Sequence, residues 1–110
     1  MNEQFRKRHC AVVILGLPSR PAQYLYDIYR KERMIPTVFT ASIPFPLILF
    51  PLARFCNIVD HPDDILCMEL TAFAERNEEK KLTLIPATEH ARRFVSRCSV
   101  TLETHYIIQP

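Results

Sequence analysis

The feature that most restricts this chain is its single glycine, Gly16, set against nine prolines in 110 residues. At the average glycine content of about 7%, a chain of this length would contain roughly eight. Phosphate-binding loops of the G-x-G-x-x-G and Walker types need two or more glycines, because the backbone must approach the phosphates closely. Neither motif is therefore present, and we exclude both classes of nucleotide-binding loop from these residues.

Length and composition indicate one folded domain. Hydrophobic residues make up 48% of the chain and charged residues 24%, which are ordinary globular values and exclude intrinsic disorder. The length matches the usual size of a single domain, so we expect residues 1–110 to form one. The net charge of +2 is too balanced to indicate a nucleic acid or an anionic membrane as a partner.

The apolar stretches and the cysteines bear on localisation. The longest apolar stretch, 43–53, has eleven residues and three prolines, whereas a membrane-spanning helix needs about 20 apolar residues. The shorter run that ends at Gly16 lacks a small-residue cleavage site, so no signal peptide is predicted. No C-x-x-C pair occurs, and we expect reduced, mostly buried thiols in a cytoplasmic protein. The four cysteines are Cys10, Cys56, Cys67 and Cys98.

Apolar runs alternate with amphipathic segments along the chain. The run 10–15 is β-branched and continuous rather than alternating, which is typical of a strand buried on both faces of a parallel sheet. Further strands are predicted at 35–40, 56–59, 81–85 and 106–108. Helices are predicted at about 19–33, 62–76 and 88–98, with a short helical turn in a packed loop within 43–55.

This alternation predicts an α/β fold with a parallel sheet of four to five strands. Connections between parallel strands are right-handed, and ligands bind at the carboxyl ends of the strands. The loops in which to look for chemistry are therefore 16–21, 40–46, 60–64 and 86–90.

Four loop residues are candidates for binding a ligand, and each has a structural alternative. Arg20 either neutralises a carboxylate or phosphate at the start of the following helix or is a solvated loop arginine. Thr88 and Glu89 either face a ligand or cap the helix that follows them. His61 is a candidate base or metal ligand, but no second histidine is near it in sequence, which favours a residue beside a helix cap.

Three other features favour structural interpretations. A basic helix surface is expected to be solvated, because no aromatic residues interleave with it as in a nucleic-acid site; it comprises Arg92, Arg93 and Arg97. The apolar run 43–53 is either buried within the domain or a docking surface for another domain. A nucleophilic cysteine is not indicated, because no base lies at a defined distance from Cys67 or Cys98.

Four segments, read in order, carry a family resemblance. They are VVILG at 12–16, RMIPTVF at 33–39, ARFCNIVDHPDD at 53–64 and LTLIPATEHARRFVSR at 82–97. Together they resemble the N-terminal domain of the ATP-grasp carboxylate–amine ligases, in the branch of the D-aspartate ligases. The last segment, continued by Leu102-Glu103 and His105-Tyr106, is the most characteristic.

The resemblance implies a small, three-layer, Rossmann-like domain of the pre-ATP-grasp type. It places Gly16 at the turn that ends a strand and Glu89 at an acidic position near the carboxyl edge of the sheet. Ser19, Arg20 and Thr88 join them as substrate-binding candidates because of their positions in the selected loops. No catalytic residue and no metal ligand is assigned to this chain.

The implied function is that of a truncated or split substrate-positioning domain of an ATP-dependent carboxylate–amine ligase, which forms an acyl phosphate. In that family, ATP and magnesium belong to an ATP-grasp catalytic domain that is absent from these residues. The chain is therefore expected to hold no cofactor and to be inert alone, with an ATP-grasp domain in cis or in trans, or a second copy, as its partner. The alternative is a stand-alone small binding or interaction module that kept the fold without ligase activity.

Overall fold

Strands and helices alternate in a computed structural model that describes residues 12–41, 43, 46–58, 61–76 and 82–109. The strands of this part of the chain are β1 (Val12–Leu15), β2 (Thr37–Thr40), β3 (Arg54–Asn57), β4 (Leu82–Pro86) and β5 (Tyr106–Ile108). Its helices are α1 (Pro21–Glu32), α2 (Asp63–Arg76), α3 (Glu89–Arg97) and α4 (Ser99–His105), with a 3₁₀ turn at Leu47–Leu49.

The strands form one parallel sheet in the order β3-β2-β1-β4-β5. β1 lies at the centre, where Val13 is opposite Thr37 of β2 and Leu84 of β4. All four residues of β1 are buried. The predicted α/β fold with a parallel sheet is confirmed, and so is the doubly buried strand in the described part of the run 10–15.

Side chains from the two faces of the sheet pack into separate hydrophobic clusters. On one face, Val13 and Leu15 belong to a cluster with residues of α2, α3 and α4. On the other face, Val12 and Ile14 belong to a cluster with α1 and the 3₁₀ turn. Helices therefore cover both faces of the sheet, which makes three layers, as expected for a small Rossmann-like domain.

Local chemistry explains where the first two sheet-covering helices begin and end. α1 begins at Pro21, whose missing N–H is not needed in the first turn, and it ends at Arg33, which adopts a left-handed φ of 61°. The residue preceding α1 is Arg20, and its side chain makes no capping hydrogen bond. α2 begins with Asp63 and Asp64, whose negative charges interact favourably with the positive end of the helix dipole.

Strand β3 and the third predicted helix differ from the sequence expectations. β3 spans Arg54–Asn57 rather than 56–59, because it pairs residue for residue with β2 and its ladder stops opposite Thr40. The helix predicted at 88–98 or beyond is divided at Cys98, whose φ of −113° and ψ of 18° separate α3 from α4.

The apolar run 43–53 is partly packed inside the domain where it is described. Leu47 and Ala53 are buried in the cluster that contains α1, and Phe50 packs against that cluster. Leu49, with 70% of its surface exposed, and the prolines Pro46 and Pro51 face solvent. The predicted helical turn is confirmed as the 3₁₀ turn.

Other expectations have mixed outcomes. Three free thiols are half-buried rather than mostly buried; they are Cys56, Cys67 and Cys98. Cys10 lies outside the described residues. In the segments that are described, none of the helices combines the length and apolar character needed to cross a membrane.

A buried hydrogen bond between β5 and α2 gives a test of the fold. The hydroxyl of Tyr106, which is 1% exposed, donates to the carbonyl oxygen of Leu70 at 2.7 Å. Tyr106→Phe should lower the free energy of unfolding in urea by about 1 kcal/mol, because it keeps the ring and removes the bond. The control Tyr26→Phe, at a residue 45% exposed, should change it by less than about 0.5 kcal/mol.

The same pair of variants has a pH signature. Burial raises the pKa of Tyr106 above that of an unfolded tyrosine. The associated stability is present below pH about 10, the ordinary tyrosine value, and falls as the pH rises above it. Tyr106→Phe should therefore weaken the alkaline loss of stability, whereas an unchanged alkaline profile would contradict burial of this hydroxyl.

Candidate functional site

Loops that follow four of the strands meet around one cleft at the carboxyl edge of the sheet. The cleft has a volume of about 580 Å³ and is bordered by residues that follow β1, β2, β3 and β4. The chain leaves β1 toward β2 on one side, whereas β4 lies on the other side. Ligands of open parallel sheets bind at such a reversal of strand order, and the volume falls within the range of small-molecule sites.

Gly16 makes the turn that ends β1 and borders the cleft. Its φ is +86°, in the left-handed region, and its N–H donates to the carbonyl oxygen of Phe39 at 2.8 Å. A Cβ at this position would lie 2.8 Å from the hydroxyl oxygen of Thr88. Glycine is therefore needed here both for the backbone conformation and for the close approach of α3.

Thr88 caps α3 and also borders the cleft. Its Oγ1 accepts a hydrogen bond from the backbone N–H of Ala91 at 3.1 Å. The capping alternative considered for Thr88 is therefore present in the structure, and the residue lies beside Gly16 at the edge of the cleft.

The remaining sequence-predicted residues are divided between the cleft and other surfaces. Ser19 borders the cleft and is exposed. Arg20 borders a separate shallow groove between α1 and the 3₁₀ turn. Glu89 is not among the residues that border the cleft; its carboxylate pairs with Arg92 at 3.4 Å and with Arg93 at 3.5 Å.

Three further polar residues border the cleft, and of these the sequence indicated only His61 as a candidate, for which it favoured a structural role. His61 follows β3, Asp63 opens α2, and His90 lies in the first turn of α3. His61 had been discounted because no second histidine is near it in sequence, yet the parallel sheet brings the loop of His90 to the same edge. The sequence could have indicated His90 as a candidate, because it lies inside the loop 86–90 that was selected as a place to look for ligand-binding residues.

An ion pair joins the start of α2 to the end of α3 at one side of the cleft. Arg97 donates to both carboxylate oxygens of Asp63, from Nε at 2.6 Å and from Nη2 at 3.2 Å. These hydrogen bonds hold the pKa of Asp63 below its usual range, and the charges of Arg97 and His90 act in the same direction. Asp63 therefore remains ionised, with its charge largely matched by Arg97.

The cleft combines an apolar wall with a polar rim. Leu15, Leu66 and Phe94, all buried, supply apolar contact, whereas the hydroxyls and imidazoles at the rim supply hydrogen bonds. Such a lining suits a small polar molecule with an apolar portion. Within the described ranges, no group of three or more histidines, cysteines and acids is placed to hold a metal ion.

Comparisons with protein-family models, with curated proteins and with solved structures found no match to this chain. The resemblance to carboxylate–amine ligases therefore stays an expectation from four short segments of the sequence.

A double-variant cycle tests the close approach of Gly16 to Thr88. Gly16→Ala should lower the free energy of unfolding by about 1 to 3 kcal/mol through backbone strain and overlap with Thr88. Thr88→Ala should cost about 1 kcal/mol through the lost cap. The double variant should lose less free energy of unfolding than the sum of the two single-variant losses, because alanine at position 88 removes the overlap with the new Cβ at position 16. Additive costs in urea unfolding would show that Thr88 does not constrain Gly16.

A second test addresses the ion pair of Asp63 and Arg97. Arg97→Gln should raise the pKa of Asp63 toward the ordinary aspartate value, as measured by ¹³C NMR of the carboxyl carbon. Arg93→Gln, on the same helix but paired with Glu89, is the matched control and should leave that pKa unchanged.

The sign of the accompanying stability change is determined by the lowered pKa. Stabilisation from the pair is present above the unfolded aspartate pKa of about 3.9 and is lost as the pH falls through the lower folded value. Arg97→Gln should lack this acid-dependent step. Identical Asp63 titrations in the wild type and in Arg97→Gln would contradict the pair.

Proposed function

We propose that this chain positions a small carboxylate-bearing substrate, such as an amino acid, for an ATP-dependent carboxylate–amine ligase reaction. An ATP-grasp domain, in cis or in trans, would supply the phosphoryl-transfer step. The observation that carries the proposal is the cleft at the carboxyl edge of the parallel sheet, where loops from four strands bring hydroxyl and imidazole groups together.

The electrostatics of the cleft support an anionic ligand. His61 and His90 border it, and so do the N-terminal ends of α2 and α3, which carry the positive ends of the helix dipoles. The negative charge that borders the cleft at Asp63 is paired with Arg97. A ligand carboxylate would therefore find hydrogen-bond donors and partial positive charge without facing an unpaired aspartate at that position.

The residues that border the cleft also support separate roles, with substrate binding in this chain and phosphoryl transfer in a catalytic partner. Phosphoryl transfer needs cations arranged around the phosphates. Among the described residues that border the cleft there is no lysine or arginine, and the chain has no glycine-rich phosphate loop. Binding of ATP and activation of the carboxylate are accordingly assigned to the partner domain.

An NMR titration tests ligand binding by this chain. D-aspartate or L-aspartate at millimolar concentration should shift the backbone amide signals of Gly16, Thr40 and Thr88, whereas ATP with magnesium should not. His90→Ala should weaken binding about tenfold, the effect of losing one charge-assisted hydrogen bond. His105→Ala is the matched control, because His105 ends α4 directly before β5 and so lies at the opposite edge of the sheet. This variant should bind aspartate as the wild type does.

A complementation assay separates the ligase function from the alternative. The chain is added to the ATP-grasp domain of a D-aspartate ligase that lacks its own N-terminal domain, and ADP formation is measured with aspartate present. Stimulation by the wild-type chain would support the proposal. Aspartate binding without stimulation would overturn the ligase role and favour a stand-alone binding module. Absence of both binding and stimulation would overturn the positioning of aspartate by this chain.

A further inference from the structure

Two thiols from distant parts of the sequence meet on one side of the domain. Cys67 lies in α2, and Cys98 is the residue between α3 and α4. Both are free and half-buried, and both border the same groove between α2 and the α3–α4 junction. The sequence did not indicate this pair, because its members are not in C-x-x-C spacing; the packing of α2 against α4 brings them together.

We propose that Cys67 and Cys98 form a reversible disulfide, which makes this pair a redox modification site that links α2 to the junction of α3 and α4. The proposal is independent of the ligand and of the ligase role.

The surroundings of the pair favour a bond within one chain. Both side chains pack against the same hydrophobic cluster, which limits their movement. The backbone N–H of Cys98 donates to the carbonyl oxygen of Phe94 at 3.1 Å, which also holds its position. Two thiols that border one groove and pack against one cluster can reach disulfide geometry through local movement of their side chains and helices.

An oxidant can reach the pair from solvent. Both cysteines border an open groove of about 480 Å³ between α2 and the α3–α4 junction. Met68, on the same groove, is 65% exposed. A peroxide would also oxidise this methionine, so a small disulfide is the cleaner oxidant for a test.

The pair is expected to react slowly at neutral pH. Burial, followed by the neighbouring Cys67 thiol, raises the pKa of Cys98. The charged groups around the pair and along the groove are Asp63, Asp64, Glu75 and Arg97. Because the thiolate is the attacking species, the exchange is best followed in mildly alkaline buffer.

The reaction with glutathione disulfide balances as a two-electron exchange. One protein thiolate attacks a sulfur of glutathione disulfide, forms a mixed disulfide and releases one glutathione thiolate. The second protein thiolate then attacks the protein sulfur of the mixed disulfide and releases the second glutathione. The protein loses two protons and two electrons, which together are two hydrogen atoms, and the oxidant becomes two glutathione thiols.

The test treats the full chain with glutathione disulfide and maps the products by mass spectrometry without reduction. Trypsin alone leaves Cys56 and Cys67 in one peptide, so a protease that cleaves after acidic residues is added to separate them at 60–64. The expected product is a monomer that has lost two hydrogen atoms and carries a Cys67–Cys98 cross-link that dithiothreitol removes. A retained glutathione adduct, a linkage to Cys10 or Cys56, a disulfide dimer or unreacted thiols would overturn the proposal.

A stability measurement gives a second readout in a chain that carries Cys10→Ser and Cys56→Ala. Oxidation should raise its Tm by at least about 5 °C, because the cross-link restricts the unfolded chain. Adding Cys67→Ser or Cys98→Ser should abolish the increase. An equal increase in Tm in either single-thiol chain would contradict the cross-link. If the substituted chain fails to fold, the disulfide mapping of the wild-type chain by mass spectrometry decides the question.

Discussion

The burial of β1 on both faces is the constraint on which the other elements depend. Val13 and Ile14 are completely buried, and β1 is hydrogen-bonded to β2 on one side and to β4 on the other. Successive side chains of a strand point to opposite faces, so both faces of the sheet need helices to cover them. Parallel strands then end at one edge, and the loops that follow them are neighbours there.

Two contacts give that edge its shape. The close approach of Gly16 to Thr88 brings the start of α3 against the end of β1. The ion pair of Asp63 and Arg97 joins the start of α2 to the end of α3. Arg97 also borders the groove of Cys67 and Cys98, so this one arginine lies between the ligand cleft and the thiol pair.

Much of the fold and part of the site could be predicted from local patterns. The β-branched run at β1 and the alternation with amphipathic segments predicted a parallel sheet covered on both faces, and the four loops that meet at the cleft followed from that topology. Individual side chains were harder to assign. Glu89 was selected for its position, but arginines three and four residues later pair with it on the exposed helix surface.

The sequence by itself determined the order of the elements and the sheet covered on both faces, because hydrophobic periodicity is a local property. Only the tertiary structure decided that His61 and His90 share a cleft, that β3 ends opposite Thr40 and that Cys67 and Cys98 border one groove. These facts depend on strand register and helix packing between distant segments. Such contacts leave no periodic trace in the chain, since each partner is specified by the whole core rather than by its sequence neighbours.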